Sequence, residues 1–198
     1  MAETTSTKIA IGIWNGVEEL DFVGPYEVLT AWANAANGRN VRVLTVAEEA
    51  DVVRCAHGLQ VVPDTTWRDV GDIDVVILPG GGTRPQAKDE RVLQRLRKLA
   101  EGNTLMTSVC TGALVLAAAG LLDGRPATTH WGSIDSLRAY PEVDVLPAER
   151  FVDSGSVITA QGVSAGIDMA LHLVARLDSV DRAREVRRYI QYDPKPPV

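Results

Sequence analysis

Cys110 lies between an apolar segment, Thr104 to Val109, and a run of small residues opened by Thr111, Gly112 and Ala113. A side chain at such a strand-to-helix bend is presented above the sheet, as in the Gly-x-Ser-x-Gly nucleophile elbow, and Gly112 lets the backbone turn tightly beside it. Free amides at the start of the next helix, and the positive end of its dipole, favour the thiolate that attacks electrophiles. The pattern predicts a cysteine nucleophile. The competing explanation is a small buried hydrophobe, which is what most free cysteines are. Cys55, between Arg54 and Ala56, lacks this setting and reads as structural.

A nucleophile of this kind needs a proton partner and a place for negative charge. Glu18, Glu19 and Asp21 follow the first strand, and Asp21, flanked by Leu20 and Phe22, is the acid most exposed to desolvation. A carboxyl beside a thiolate has its pKa raised and can act as general acid, then base. Pro79-Gly80-Gly81-Gly82 ends an apolar strand. Amides of Gly81 or Gly82, with that of Thr111, could stabilise a developing anion, although a plain tight turn explains the glycines equally well. The loop has neither Gly-x-Gly-x-x-Gly spacing nor a following Lys-Ser/Thr, so phosphate binding is weakly signalled. His130 could pair with the cysteine or serve a structural bond, and Trp14, at the end of the first strand, could wall a pocket. The three histidines show no metal-ligand spacing, and neither metal nor cofactor is expected.

The elements that position these residues alternate. Strand signals at Lys8 to Trp14, Val41 to Val46, Val75 to Leu78, Thr104 to Val109, Val143 to Leu146 and Val157 to Thr159 are interleaved with helical spacing. The helices are expected from Gly24-Pro25 to about Trp32, at Arg91 to Leu99, Thr111 to Leu122, Trp131 to Tyr140, Val163 to Leu177 and Val180 to Ile190. Val52-Val53 and Leu59 to Val62 read as a hairpin, and Ala127 to Thr129 as a short strand. This alternation predicts an α/β fold, a flavodoxin-like three-layer sandwich with a mostly parallel sheet and helices on both faces. With 198 residues we expect one domain, residues 1–7 being a flexible tail.

Bulk properties exclude some partners. A net charge of -6 opposes a nucleic-acid backbone, and the arginines at 182, 184, 187 and 188 alternate with Asp181 and Glu185 as on a solvated helix face. No apolar run approaches membrane-spanning length, and the first residues lack the layout of an export signal. Two cysteines are too few for a disulfide framework, so a reducing, cytoplasmic setting is expected.

Leu20-Asp21-Phe22-Val23-Gly24-Pro25, Pro79-Gly80-Gly81, Thr107-Ser108-Val109-Cys110-Thr111-Gly112 and Ala127-Thr128-Thr129-His130-Trp131 occur in order. Together they resemble the ThiJ/PfpI (class I glutaminase-like) superfamily, and within it the isocyanide hydratase branch, over nearly the whole chain. The resemblance implies Cys110 as nucleophile, Asp21 as its acid partner, Thr111 beside it and Tyr192 as a hydroxyl donor at the pocket. It implies hydration of a small isocyanide to a formamide without cofactor, in a homodimer with the site near the interface. Protease- and deglycase-like branches carry a His after the cysteine or a Glu in the acidic position, and this chain has Thr111 and Asp21. It departs from the hydratase pattern at Gln161, where a glycine is expected, and at Val163, a pocket position, where isoleucine is expected. Similar domains in AraC-type regulators append a helix-turn-helix region, for which the residues after Tyr192 leave too little chain. The same cysteine would also suit a redox-responsive protein oxidised to a sulfinic acid, a non-catalytic ligand-binding domain, or glyoxalase-like action on 2-oxoaldehydes.

Overall fold

In the computed structural model, residues 6–35 and 40–195 are described. The apolar strand β1 (Ser6–Gly12) leads into α1 (Glu19–Ala35) and β2 (Asn40–Ala47). A hairpin, β3 (Val53–Arg54) and β4 (Gln60–Val61), precedes the short β5 (Thr65–Thr66) and the fully buried β6 (Val75–Leu78). Next come α2 (Glu90–Glu101), β7 (Leu105–Val109) and α3 (Gly112–Ala118). The remaining elements are β8 (Pro126–Ala127), α4 (Ile134–Arg138), β9 (Asp144–Val145), β10 (Phe151–Asp153), β11 (Val157–Ala160), α5 (Ala165–Leu177) and α6 (Val180–Tyr189).

Seven strands form the main sheet in the order β10-β11-β7-β6-β1-β2-β5. All its pairings are parallel except β10 with β11. Stripped of its edges, the order β2-β1-β6-β7-β11 is the flavodoxin order 2-1-3-4-5, whose ligand crevice opens between β1 and β6 at the carboxyl ends of the strands. Alternation along each strand divides the core. Ile9, Ile11, Val75 and Ile77 face the layer of α1, α5 and α6, whereas Ala10, Val76 and Leu78 face α2, α3 and α4. Burial on both faces explains why these strands read as unbroken apolar runs.

Several boundaries differ from expectation. Ser6 and Thr7, expected in a flexible tail, pair in register with Asn40 and Val41, so β1 starts earlier; residues 1–5 lie outside the described residues. Helix α1 starts at Glu19, not Gly24, and carries Pro25 within it. The proline removes only one amide from the helix, and Gly166 of α5 lies against its ring. The segment after Cys110 is helical only to Ala118, and Trp131 to Ser133 form a 3-10 turn before α4. The strands β5 and β10 have no expectation behind them; two or three residues at a sheet edge carry little periodicity. Among the described residues no helix is long and apolar enough to cross a membrane.

Candidate active site

Cys110 occupies the last turn out of β7 with φ +58, a left-handed conformation that residues other than glycine, asparagine and aspartate seldom adopt. The bend is held from several sides. The Cys110 amide is shared between the carbonyls of Ala160 and Gln161, at 3.2 and 2.9 Å, and the buried Thr129 hydroxyl donates to the Cys110 carbonyl at 2.7 Å. Gly112 packs so closely under the β6 strand that a Cβ there would overlap the carbonyl oxygen of Leu78. The sharp turn anticipated at Cys110 and Gly112 is therefore present, and surrounding bonds hold its strain in place.

Asp21, in the first turn of α1, is wholly buried. Its Oδ2 accepts the Gly80 amide at 2.7 Å, while Oδ1 is buried with no hydrogen-bond partner. Gly80 is the spacer of the site. A Cβ on it would lie 2.7 Å from Asp21 Oδ2, from Cys110 Cβ and from the Thr111 nitrogen, so those three groups converge on one residue that has no side chain. Burial pushes the Asp21 carboxyl up to about 7, against the pull of the Gly80 amide and the nearby Cys110 thiol, with the charge of Glu18 adding to the rise. Burial and then the Asp21 charge push the Cys110 thiol up to about 12, while the amides of Thr111 and Val163 favour its charged form. The pair therefore gives up one proton near 7 and keeps the second to about 12.

The thiol accordingly differs from the sequence expectation, in which a helix start lowers its pKa. The acid partner and the dry pocket outweigh the two amides, so a free thiolate forms only when the remaining proton rests on Asp21. Of the three acids that follow β1, only Asp21 reaches the cysteine. Glu18 pairs with His57 at 3.3 Å, and Glu19 accepts the His57 amide at 2.7 Å. Ligand atoms of Glu18, Glu19 and His57 come within 4.8 Å of one another and could hold a cation.

The amides of Gly81 and Gly82, expected to be open to a developing anion, both have hydrogen-bond partners within the protein. The Gly81 amide donates to Thr111 Oγ1 at 3.1 Å and the Gly82 amide to the Gly16 carbonyl at 2.8 Å. The loop is pinned by bonds that use up those donors. Thr111 therefore ties the loop to the nucleophile through its side chain and favours charge on sulfur through its amide. Val163, with φ +51, is a β-branched residue in a strained conformation that brings its amide to both the sulfur and the Asp21 carboxyl.

Three other expected residues make their hydrogen bonds and contacts elsewhere than to the pair. His130 Nδ1 accepts the Gly132 amide at 3.1 Å and its ring fills the space left open by Gly162. The hydroxyl of Tyr192 donates to Asp168 at 3.2 Å, and Asp168 is also held by Arg150 at 2.8 Å. Trp14 lines a cavity of about 110 Å³ with Trp67, Leu78 and Leu96, to which neither Asp21 nor Cys110 contributes. Sequence reasoning passed over Gly80 and Thr129 as site residues. Both stand inside motifs already singled out, and only the three-dimensional convergence on them marks their use.

Known proteins resemble this chain in sequence and in fold. The sequence pattern of the DJ-1/PfpI family matches residues 7–176. The chain is 42% identical over 183 residues to an isonitrile hydratase of Pseudomonas putida, covering 91% of this chain and 76% of that protein. It is 32% identical over 172 residues to the HTH-type transcriptional regulator CdhR of Pseudomonas aeruginosa, covering 86% of this chain and about half (51%) of the regulator. A crystal structure of a ThiJ/PfpI family protein from Pseudomonas syringae superposes with a TM-score of 0.88 at 32% identity, covering 98% of this chain and 78% of that one.

Proposed function

This chain belongs to the DJ-1/PfpI family, and from that premise we propose that it hydrates an organic isocyanide, or isonitrile, to an N-substituted formamide. The observation that carries the proposal is the convergence of Asp21, Cys110 and the Thr111 amide on Gly80, which holds one proton between a buried carboxyl and a thiol. The similarity to an isonitrile hydratase supplies the substrate class.

The monoanionic pair with its proton on Asp21 is the reactive form. The thiolate bonds to the terminal isocyanide carbon, and Asp21 gives its proton to that carbon, leaving a thioimidate S–CH=N–R on Cys110. Asp21 Oδ2 stays fixed by Gly80, so the unbonded Oδ1 is the atom that carries the proton. Water then adds across the C=N bond, its oxygen to carbon and a proton through Asp21 to nitrogen. As the tetrahedral centre collapses, the hydroxyl proton passes to Asp21, the C–S bond breaks, and the formamide leaves with thiolate and acid restored. Amides of Thr111 and Val163 stabilise charge on sulfur at both ends of the cycle. Each step needs only water besides the substrate.

The test is formamide formation from a simple aryl isocyanide. Wild type is expected to turn it over, with Cys110→Ala inactive and Asp21→Val reduced by about 10² to 10⁴. No formamide above background from the wild type would sink the proposal. The likeness to a transcriptional regulator favours a second reading, a domain that binds a small ligand without reacting. In that case Cys110→Ala would leave ligand affinity intact.

A further inference from the structure

Beside the loop that carries Gly80, a cavity of about 370 Å³ opens against Gly81 and Gly82, reaching Leu114 on α3 and the hydroxyl-bearing Ser136 and Tyr140. Neither Asp21 nor Cys110 lines it, but the loop it opens against is tied to both. Gly81 is bonded through both its amide and its carbonyl to Thr111, the neighbour of Cys110, and Gly80, next to it in the chain, touches Asp21 and Cys110. Its volume lies within the range of small-molecule pockets, large enough for a substituted benzene ring.

Its charge is one-sided. Arg84 and Lys88 line it, and none of its lining residues is an acid. Neither cation forms an ion pair among the described residues, whereas Arg91 and Arg97 of the adjoining α2 pair with Asp89 and Glu90. In a chain of net charge -6, two cations without ion pairs lining one cavity beside the Gly80 loop are a local feature of this cavity.

Building on the isocyanide reading, we infer that this cavity receives an acidic substituent of the substrate, so that the preferred isocyanides carry a carboxylate on the group R. The reacting carbon goes to Cys110, R lies over Gly81 and Gly82, and the carboxylate meets Arg84 and Lys88 at the rim. Both cations are exposed, so the preference is moderate and sensitive to salt.

Binding of the reaction products tests this without requiring turnover. Calorimetry with 4-formamidobenzoate and with its uncharged counterpart N-phenylformamide is expected to show the carboxylate binding about fivefold more tightly at low salt. The gap should close in Arg84→Ala/Lys88→Ala and at about 0.5 M salt, and persist in Arg84→Lys. Arg84→Glu/Lys88→Glu should reverse the order. Equal affinities in the wild type, a gap that survives the double alanine variant, or no binding of either compound would overturn the inference. Turnover of a neutral aryl isocyanide remains the separate test of the reading beneath it: hydration without any preference for the carboxylate would overturn this inference alone.

Discussion

At Asp21 a single carboxyl serves reactivity at the expense of stability. Its folded pKa, about 7, lies above the roughly 4 of an unfolded chain, so the folded state holds the proton more tightly. The stability this contributes is complete below about pH 4 and is lost as pH rises through about 7, a difference on the order of 4 kcal/mol. Asp21→Asn is therefore expected to be more stable than wild type at pH 8 by that order, the gap closing towards pH 4. Chemical denaturation at the two pH values checks it, and equal stabilities at pH 8 would contradict the burial argument. The burial of this residue was legible in its place between Leu20 and Phe22, although of those two flanks only Phe22 is itself buried. The behaviour of its partner was not. The thiol's rise depends on how close the acid comes, and spacing along a chain does not encode that distance.

The site rests on loops at the carboxyl ends of three adjacent parallel strands, β1, β6 and β7, and on the loop after β11 that brings in Val163. Their separation is fixed by glycines whose missing side chains are spaces. Gly112→Ala is expected to cost about 3 kcal/mol or more, because the new methyl would overlap the Leu78 carbonyl and neither backbone segment can yield. Thermal unfolding monitored by circular dichroism would measure it, and a change below about 1 kcal/mol would mean that the β6 to α3 packing is looser than described. At this scale long apolar strands were readable, since burial on both faces leaves a continuous signature. The start of α1 was obscured by Gly24-Pro25, which local rules take as a beginning. The two spare amides assigned to Gly81 and Gly82 could not be recognised as occupied, because their partners, Thr111 and Gly16, are remote in sequence.

As a whole, the molecule carries the mostly parallel sheet that strand and helix alternation implied, whereas its flavodoxin order, with the crevice between β1 and β6, emerges only from the strand pairing. Leu20 and Val23, on either side of Asp21, are 38% and 39% exposed and give α1 an apolar outer face next to the site. The homodimer expected from the resemblance would bury them. Sedimentation equilibrium should then give about twice the 21.3 kDa of one chain, and Leu20→Glu/Val23→Glu should give a monomer. A wild-type monomer at micromolar concentration would contradict that expectation. Because the same fold is shared with a hydratase and with a transcriptional regulator, the central claim is that here the Asp21–Cys110 pair performs chemistry, and its pH dependence is the signature. The most direct measurement is kcat/KM for a neutral aryl isocyanide as a function of pH. The account predicts a rise through about 7 as the pair loses its first proton, a plateau above it, and loss of that limb in Asp21→Asn. A rate that follows only an ordinary thiol titration near 8.5, unchanged in Asp21→Asn, would contradict it.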